Sequence, residues 1–323
     1  MLAVRCGAFG QEATLDEVPE PVAAREEVLV EVRAAAVNFP DLLILANAYQ
    51  QSPQPPFTVG SEFAGRVVAI GTDGDASWLG RDVLGGVLTG AFAERIAVPT
   101  TALSVMPAAL DHREGAAFRV GYETAFHALV TIGQAVPGDW VVVLGCSGGV
   151  GSASVDLAVR LGMRVIAAGS TEERVKRAEA AGAVAGVVYS RADLKAEIKR
   201  ITGAGADLVI DPVGGEHAEA ALRAVRWGGR FITVGFAAGT IPRIPLNLVL
   251  LKGAIVRGFQ LPNIDNVLPG SRARASQALT ELARRGMRPH IGAVYPLKEA
   301  TAALRDVRER RVIGKAVIDM SLD

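Results

Sequence analysis

The chain has 323 residues, 50% of them hydrophobic and 21% charged; that is length for two domains and composition that excludes wholesale disorder. Lys plus Arg and Asp plus Glu balance at 34 each, so no net field draws the chain to nucleic acid or an anionic membrane. Two cysteines, Cys6 and Cys146, exclude a disulfide framework and a four-thiolate zinc site and suit a reducing compartment.

The N-terminus turns acidic before any apolar stretch builds up, which is a poor signal peptide. The first hundred residues predict β structure punctuated by turns. Residues 28–32 (VLVEV) alternate, as does part of 65–70 (GRVVAI), and Pro53, Pro55, Pro56, Asp73-Gly74 and Gly85-Gly86 supply the breaks. Few helical periods occur here. The pattern changes near Gly121. From Asp139 onward, short apolar runs at 140–144, 164–168, 186–189, 207–210 and 230–234 alternate with helical stretches at 171–181, 192–202 and 216–227. Such alternation predicts βαβ units and a doubly wound parallel sheet over about 120 to 280. The last forty residues predict one helix near 276–285 and a strand at 311–318. The longest apolar runs fall far below the ~20 residues of a membrane span, and cytoplasm is the expected compartment. With neither a basic stripe nor interleaved aromatics, nucleic acid is not an expected partner.

The most informative stretch is the run at 140–144 followed by Gly145-Cys146-Ser147-Gly148-Gly149-Val150-Gly151 and then a helical pattern. A dinucleotide pyrophosphate needs a tight turn, close backbone approach and a helix N-terminus with free N–H groups. Cys146 lies inside the turn without a basic partner in the sequence, so it reads as a small filler rather than a nucleophile. NAD-specific domains place a carboxylate at the tip of the second strand. Here that tip reads Ala167-Ala168-Gly169-Ser170, and Arg174 follows. A hydroxyl and a guanidinium suit a 2′-phosphate, so NADPH (NADP) is the expected cofactor. Ser170 with Glu173 also has the spacing of a capping box, and both readings stand at this point.

The glycine turn placed mid-chain after a β-rich segment resembles the medium-chain dehydrogenase/reductase layout. Ala36-Val37-Asn38-Phe39-Pro40-Asp41, the segment 56–65 (PFTVGSEFAG), the segment 121–127 (GYETAFH) and Val234-Gly235-Phe236 resemble its quinone oxidoreductase, zeta-crystallin-like branch. The resemblance covers nearly the whole chain. It implies a GroES-like, mostly β catalytic domain over 1–120, completed by 283–323, and a Rossmann domain over 121–282, the two enclosing a cleft. Zinc alcohol dehydrogenases carry Cys where this chain has Asn38 and His where it has Ser61, so the chemistry is expected to run without zinc.

The resemblance also implies site residues. Gly145, Ser147, Gly148, Gly149, Val150 and Gly151 would hold the pyrophosphate, and Ser170, Arg174 and Tyr189 the 2′-phosphate. Thr124, Gly235 and Phe236 would line the nicotinamide. Asn38, Tyr49 and Asp41 are the candidate catalytic residues, with Asn38 and Tyr49 facing the substrate. Tyr189 also reads as a strand-end aromatic, and Tyr49 as a surface turn residue. Leu43 stands where some relatives carry a second tyrosine, which suggests a more apolar site. The implied reaction is hydride transfer to a small quinone or conjugated carbonyl, with Asn38, Tyr49 or a water stabilising the charge that develops on oxygen. An enone or acrylate-type reductase and an NADPH-binding sensor are the alternatives. Residues 254–259 (AIVRGF) have the apolar character of a sheet edge that could pair in a homodimer.

Overall fold

Burial along the strands ranges from none to complete, and it is most continuous in the central strands of the second half of the chain. The computed structural model describes residues 1–322. In chain order it runs β1 (Leu2–Cys6), β2 (Thr14–Glu17), β3 (Glu27–Ala36), α1 (Phe39–Leu45), β4 (Phe57–Thr58), β5 (Glu62–Ile70), β6 (Asp82–Gly86), β7 (Arg95–Pro99), β8 (Leu103–Val105) and α2 (His112–Ala116). Then come α3 (Arg119–Phe126), β9 (Trp140–Leu144), α4 (Gly149–Arg160), β10 (Arg164–Gly169), α5 (Glu172–Ala180), β11 (Ala185–Val188), α6 (Leu194–Thr202), β12 (Ala206–Asp211), α7 (His217–Ala224) and β13 (Val225–Thr233). The chain ends with α8 (Asn247–Lys252), β14 (Ile255–Gly258), α9 (Ile264–Val267), α10 (Ser271–Arg284), β15 (Ile291–Pro296), α11 (Ala300–Arg308) and β16 (Lys315–Asp319). It divides into unit 1, Met1–Val120 with the segment from Thr280 onward, and unit 2, Gly121–Leu279.

Unit 1 is built around β3. This strand pairs antiparallel with β5, β7 and β16. The larger sheet runs β15-β16-β3-β5-β6-β8, with β7 on β3, and a smaller sheet runs β2-β1-β4. Along β3, Val28, Val30 and Val32 lie in a core with Phe63, Val67, Phe92 and Ile318, Leu29, Ala34, Ala35 and Ala36 are buried too, and Arg33 faces out. The C-terminal strand β16 is buried along its whole length and lies beside the end of β3, with Val317 opposite Ala36.

Unit 2 is the Rossmann domain. Its six strands are all parallel in the order β11-β10-β9-β12-β13-β14. In β9, β10 and β12 nearly every residue is buried, as a sheet covered on both faces requires. The chain winds outward from β9 to β11, then returns to β12 on the other side of β9. Dinucleotides bind beyond the carboxyl ends of the strands at such a reversal.

Four local expectations change. A seven-residue helix, α1, interrupts the β-rich region; Asn38 as N-cap, Pro40 in the first turn and acidic Asp41 are its start signals. The helix expected over 216–227 ends at Ala224, because Val225–Thr233 pairs with β12 and β14. The helix expected near 276–285 begins at Ser271. The last forty residues hold β15 and α11 besides β16, and the strand expected from 311 begins at Lys315, after a left-handed turn at Gly314. Among the described residues, no helix is long and apolar enough to cross a membrane.

Candidate active site

In unit 2 the loop after β9 is shaped for an anion. Gly145 has a positive φ of 58°, and Gly148 is the N-cap of the twelve-residue α4. A Cβ on Gly151 would lie 2.0 Å from the Gly145 carbonyl oxygen, so the helix can approach the strand only with glycine there. A Cβ on Gly148 would meet nothing nearer than 3.6 Å; this side of the turn stays open. The first N–H groups of α4, at Gly149, Val150 and Gly151, have no partner within the helix. The dipole adds to their attraction for a phosphate. Cys146 is buried and its thiol is pushed up to about 12 by that burial, which rules out thiolate chemistry near neutral pH.

Ser147 and Arg174 meet above this loop, the Arg174 Nη1 donating to Ser147 Oγ at 2.8 Å. The N-cap of α5 is Thr171, whose hydroxyl accepts from the Arg174 backbone N–H at 3.4 Å. The capping role that spacing allowed for Ser170 therefore falls one residue later, and the Ser170 hydroxyl is not needed by the helix. Tyr189 follows β11, with its ring 4.1 Å from that of His217. Asp211 ends β12 and accepts from the Val213 and Gly214 N–H groups at 2.8 Å each; it is the turn's own cap. Gly235 and Phe236 follow β13, and a Cβ on Gly214 would strike the Phe236 ring at 2.8 Å, so these two loops pack closely. Thr124 is buried in α3. The glycine cradle, free helix N–H groups and nearby guanidinium fit a nicotinamide dinucleotide.

In unit 1, Asn38 and Asp41 belong to one hydrogen-bonded cluster, and sequence reading missed two of its members, Glu62 and Lys315. Lys315 Nζ donates to Asn38 Oδ1 at 2.6 Å and to Glu62 Oε2 at 2.9 Å. Asn38 Nδ2 donates to the same Glu62 oxygen at 2.9 Å and to Ala36 O at 3.3 Å. Glu62 Oε1 accepts the Val120 N–H at 2.6 Å. Both amide hydrogens of Asn38 are thus committed inside the cluster. The Asn38 backbone N–H donates to Asp41 Oδ2 at 2.7 Å. Burial pushes Asp41 up to about 6, against the restraint of the Ser61 hydroxyl, the Asn38 backbone and the Lys315 charge. By distance and angle its other oxygen, Oδ1, makes no hydrogen bond. Tyr49 is half-buried against the core of unit 1, and burial and the Asp41 charge both raise its phenol. A pairing hint for Glu62 lay in the sequence, since an acidic residue in a buried apolar strand needs a cation; nothing in the sequence pointed to Lys315 as that cation.

Whether these residues could hold zinc can be tested on their donors. The amide of Asn38 and the hydroxyl of Ser61 are poor ligands beside thiolate and imidazole. The ammonium of Lys315 already contacts Asn38 and Glu62, and a divalent cation there would face it directly. Among the described residues, no three His, Cys, Asp or Glu side chains are grouped to hold a metal. The donor set does not fit zinc.

Comparison with known proteins identifies the family. Residues 24–108 match the alcohol dehydrogenase GroES-like domain and residues 149–284 the zinc-binding dehydrogenase family. The chain is 35% identical to bovine quinone oxidoreductase-like protein 2 over 322 residues, covering 98% of this chain and 92% of that one. It is 30% identical to human quinone oxidoreductase, covering 95% and 94%. The crystal structure of the quinone oxidoreductase from Thermus thermophilus, solved also in complex with NADPH, superposes with a TM-score of 0.87 at 34% identity over 99% of this chain and all of that one. The chain therefore belongs to the medium-chain dehydrogenase/reductase superfamily, in its quinone oxidoreductase-like, zeta-crystallin-like branch, and is an oxidoreductase with a nicotinamide-dependent fold.

Proposed function

We propose that the protein reduces small quinones or conjugated carbonyls with NADPH and without a metal. The observation that carries the cofactor choice is the Arg174–Ser147 contact above the glycine turn, beside a strand tip that ends in Ser170 and has no carboxylate. A guanidinium and two hydroxyls suit a 2′-phosphate, where NAD-specific domains use an acidic residue. The α4 N-terminus would hold the pyrophosphate, and Thr124, Gly235 and Phe236 would line the nicotinamide. Bound nicotinamide supplies the hydride.

The residues of unit 1 then have separate tasks. Tyr49 presents a phenol as hydrogen-bond donor to the acceptor oxygen as negative charge develops there. Asp41, balanced near neutrality, lies within electrostatic reach of that phenol and can exchange a proton as the product oxygen is protonated. Asn38 has no amide hydrogen to spare and keeps the site in shape. Without a Lewis acid the acceptor must be electron-poor at the outset, which favours quinones and enones over simple ketones. The open edge of β14, with all four residues exposed, and the exposed Leu246, Leu250 and Leu251 nearby in the chain support a homodimer of this chain.

The test records NADPH and NADH oxidation side by side with a small quinone, with EDTA throughout. Fast oxidation of NADPH and slow oxidation of NADH is expected. Activity that disappears in EDTA and returns with zinc would refute the metal-free reading. Turnover of enones but not quinones would reassign the acceptor, and cofactor binding without any turnover would leave a sensor.

A further inference from the structure

The donor set of unit 1 departs from a zinc site in a particular way: a cation is present, and it is a side chain. Glu62 and Lys315 are buried to 0% and 4% side-chain exposure, with Nζ and Oε2 2.9 Å apart. We propose that Lys315 is a positioning residue of the active site, its fixed positive charge holding the Asn38 amide, and through it Asp41, in one arrangement. This rests on the functional reading above and goes beyond it by giving a task to a residue 253 positions from its partner Glu62.

Backbone pairing delivers the cation. The Val37 N–H donates to Ala316 O at 3.0 Å, so the register that joins β16 to the end of β3 sets Lys315 beside Asn38. The ammonium has three hydrogens and no lone pair. It must therefore face an oxygen of the Asn38 amide, and the amide can take only one of its two orientations. Flipping it would turn Nδ2 against Nζ and Oδ1 against the Glu62 carboxylate. With Oδ1 on Lys315, Nδ2 falls on Glu62 and Ala36 O. The residue so fixed is the N-cap of α1, and its backbone N–H holds the Asp41 carboxylate. Lys315, with its side chain 4% exposed, thus acts on the acceptor site through Asn38 and Asp41.

The experiment compares Lys315→Met, Lys315→Arg, Glu62→Gln and the double variant Glu62→Gln with Lys315→Met. Three quantities are read: kcat and KM for a small quinone at saturating NADPH, Kd for NADPH by fluorescence, and the thermal midpoint. For Lys315→Met, kcat should fall by about tenfold or more with NADPH Kd unchanged, and the thermal midpoint should drop. Lys315→Arg should recover most of the kcat. The double variant, which buries no lone charge, should recover the midpoint but not the kcat. A kcat within about twofold of the parent in Lys315→Met, or recovered in full by the double variant, overturns the positioning role. A parent chain inert toward every quinone and enone refutes the functional reading instead. The thermal midpoints then decide the clamp by themselves, since additive losses in the two single charge removals, Glu62→Gln and Lys315→Met, would overturn it.

Discussion

At the scale of a single side chain, the proposed preference for NADPH rests on Arg174. Its guanidinium is already held over the glycine turn by Ser147, so little ordering remains when a phosphate arrives. A charge-assisted hydrogen bond of this kind is worth about 1.5–3 kcal/mol. Arg174→Ala should raise KM for NADPH by about 10- to 100-fold and leave KM for NADH nearly unchanged. An equal rise for both cofactors would show Arg174 to be a support of the loop alone. Asp41 makes a second prediction. Its folded value of about 6 lies above the 3.8 of an unperturbed aspartate. The folded chain therefore binds this proton more tightly than the unfolded chain does. The resulting stability is fully present below about pH 4 and is lost as pH rises through 6. Asp41→Asn removes the loss, so its advantage over the parent should grow with pH, by roughly 1–2 kcal/mol between pH 5 and 8. Urea midpoints at the two pH values measure this, and an advantage that shrinks with pH would contradict the burial argument. Asn38, Asp41 and Arg174 could be picked out from local motifs. Lys315 could not, because its partners lie 277 and 253 residues away and a lone lysine at a strand start looks solvent-facing until the strand is placed.

At the scale of elements, the glycine turn separates two demands that sequence reading merges. Gly151 is required by packing, since its Cβ would overlap the Gly145 carbonyl. Gly148 is in an ordinary extended conformation with φ −79° and has room for a Cβ on the protein side. Gly151→Ala should destabilise unit 2 by about 1–3 kcal/mol. Gly148→Ala should leave the thermal midpoint close to the parent's and weaken NADPH binding, because the added methyl stands where backbone and pyrophosphate must meet. Calorimetry and fluorescence titration of the two variants check this pairing; equal affinity in Gly148→Ala would move the phosphate elsewhere. The turn was legible because strand, glycines and helix are contiguous. Boundaries that depend on distant partners were less so. The Ala- and Arg-rich composition of α7 continues to Arg226, yet the chain becomes β from Val225 because β12 offers a ladder there. In α5 the cap went to Thr171 rather than Ser170, a one-residue difference that propensity cannot resolve since both hydroxyls are good caps.

For the whole molecule, the open question is what covers the end of the Rossmann sheet. A strand with an unpaired side is a template for another chain, and proteins that remain monomeric blunt it with charge, proline or a covering element. Here β14 carries one charge, Arg257, whose guanidinium turns back to the Ile132 carbonyl within unit 2. Ile255 and Val256 remain 50% and 43% exposed, and Leu250 and Leu251 of the preceding α8 are 80% and 70% exposed. Apolar residues this exposed, at an edge the fold leaves open, are what a twofold partner would bury. A self-complementary edge also needs only one sequence to serve both sides. The parent chain should therefore run as a dimer in light-scattering chromatography down to low micromolar concentration. Val256→Lys together with Leu250→Glu should shift it to monomer with NADPH binding retained, since both positions are far in sequence from the glycine turn and on or beside the last strand of the sheet. A parent that is already monomeric, or a charged variant that remains dimeric, would place the contact on another face and leave the exposed leucines of α8 to a different partner.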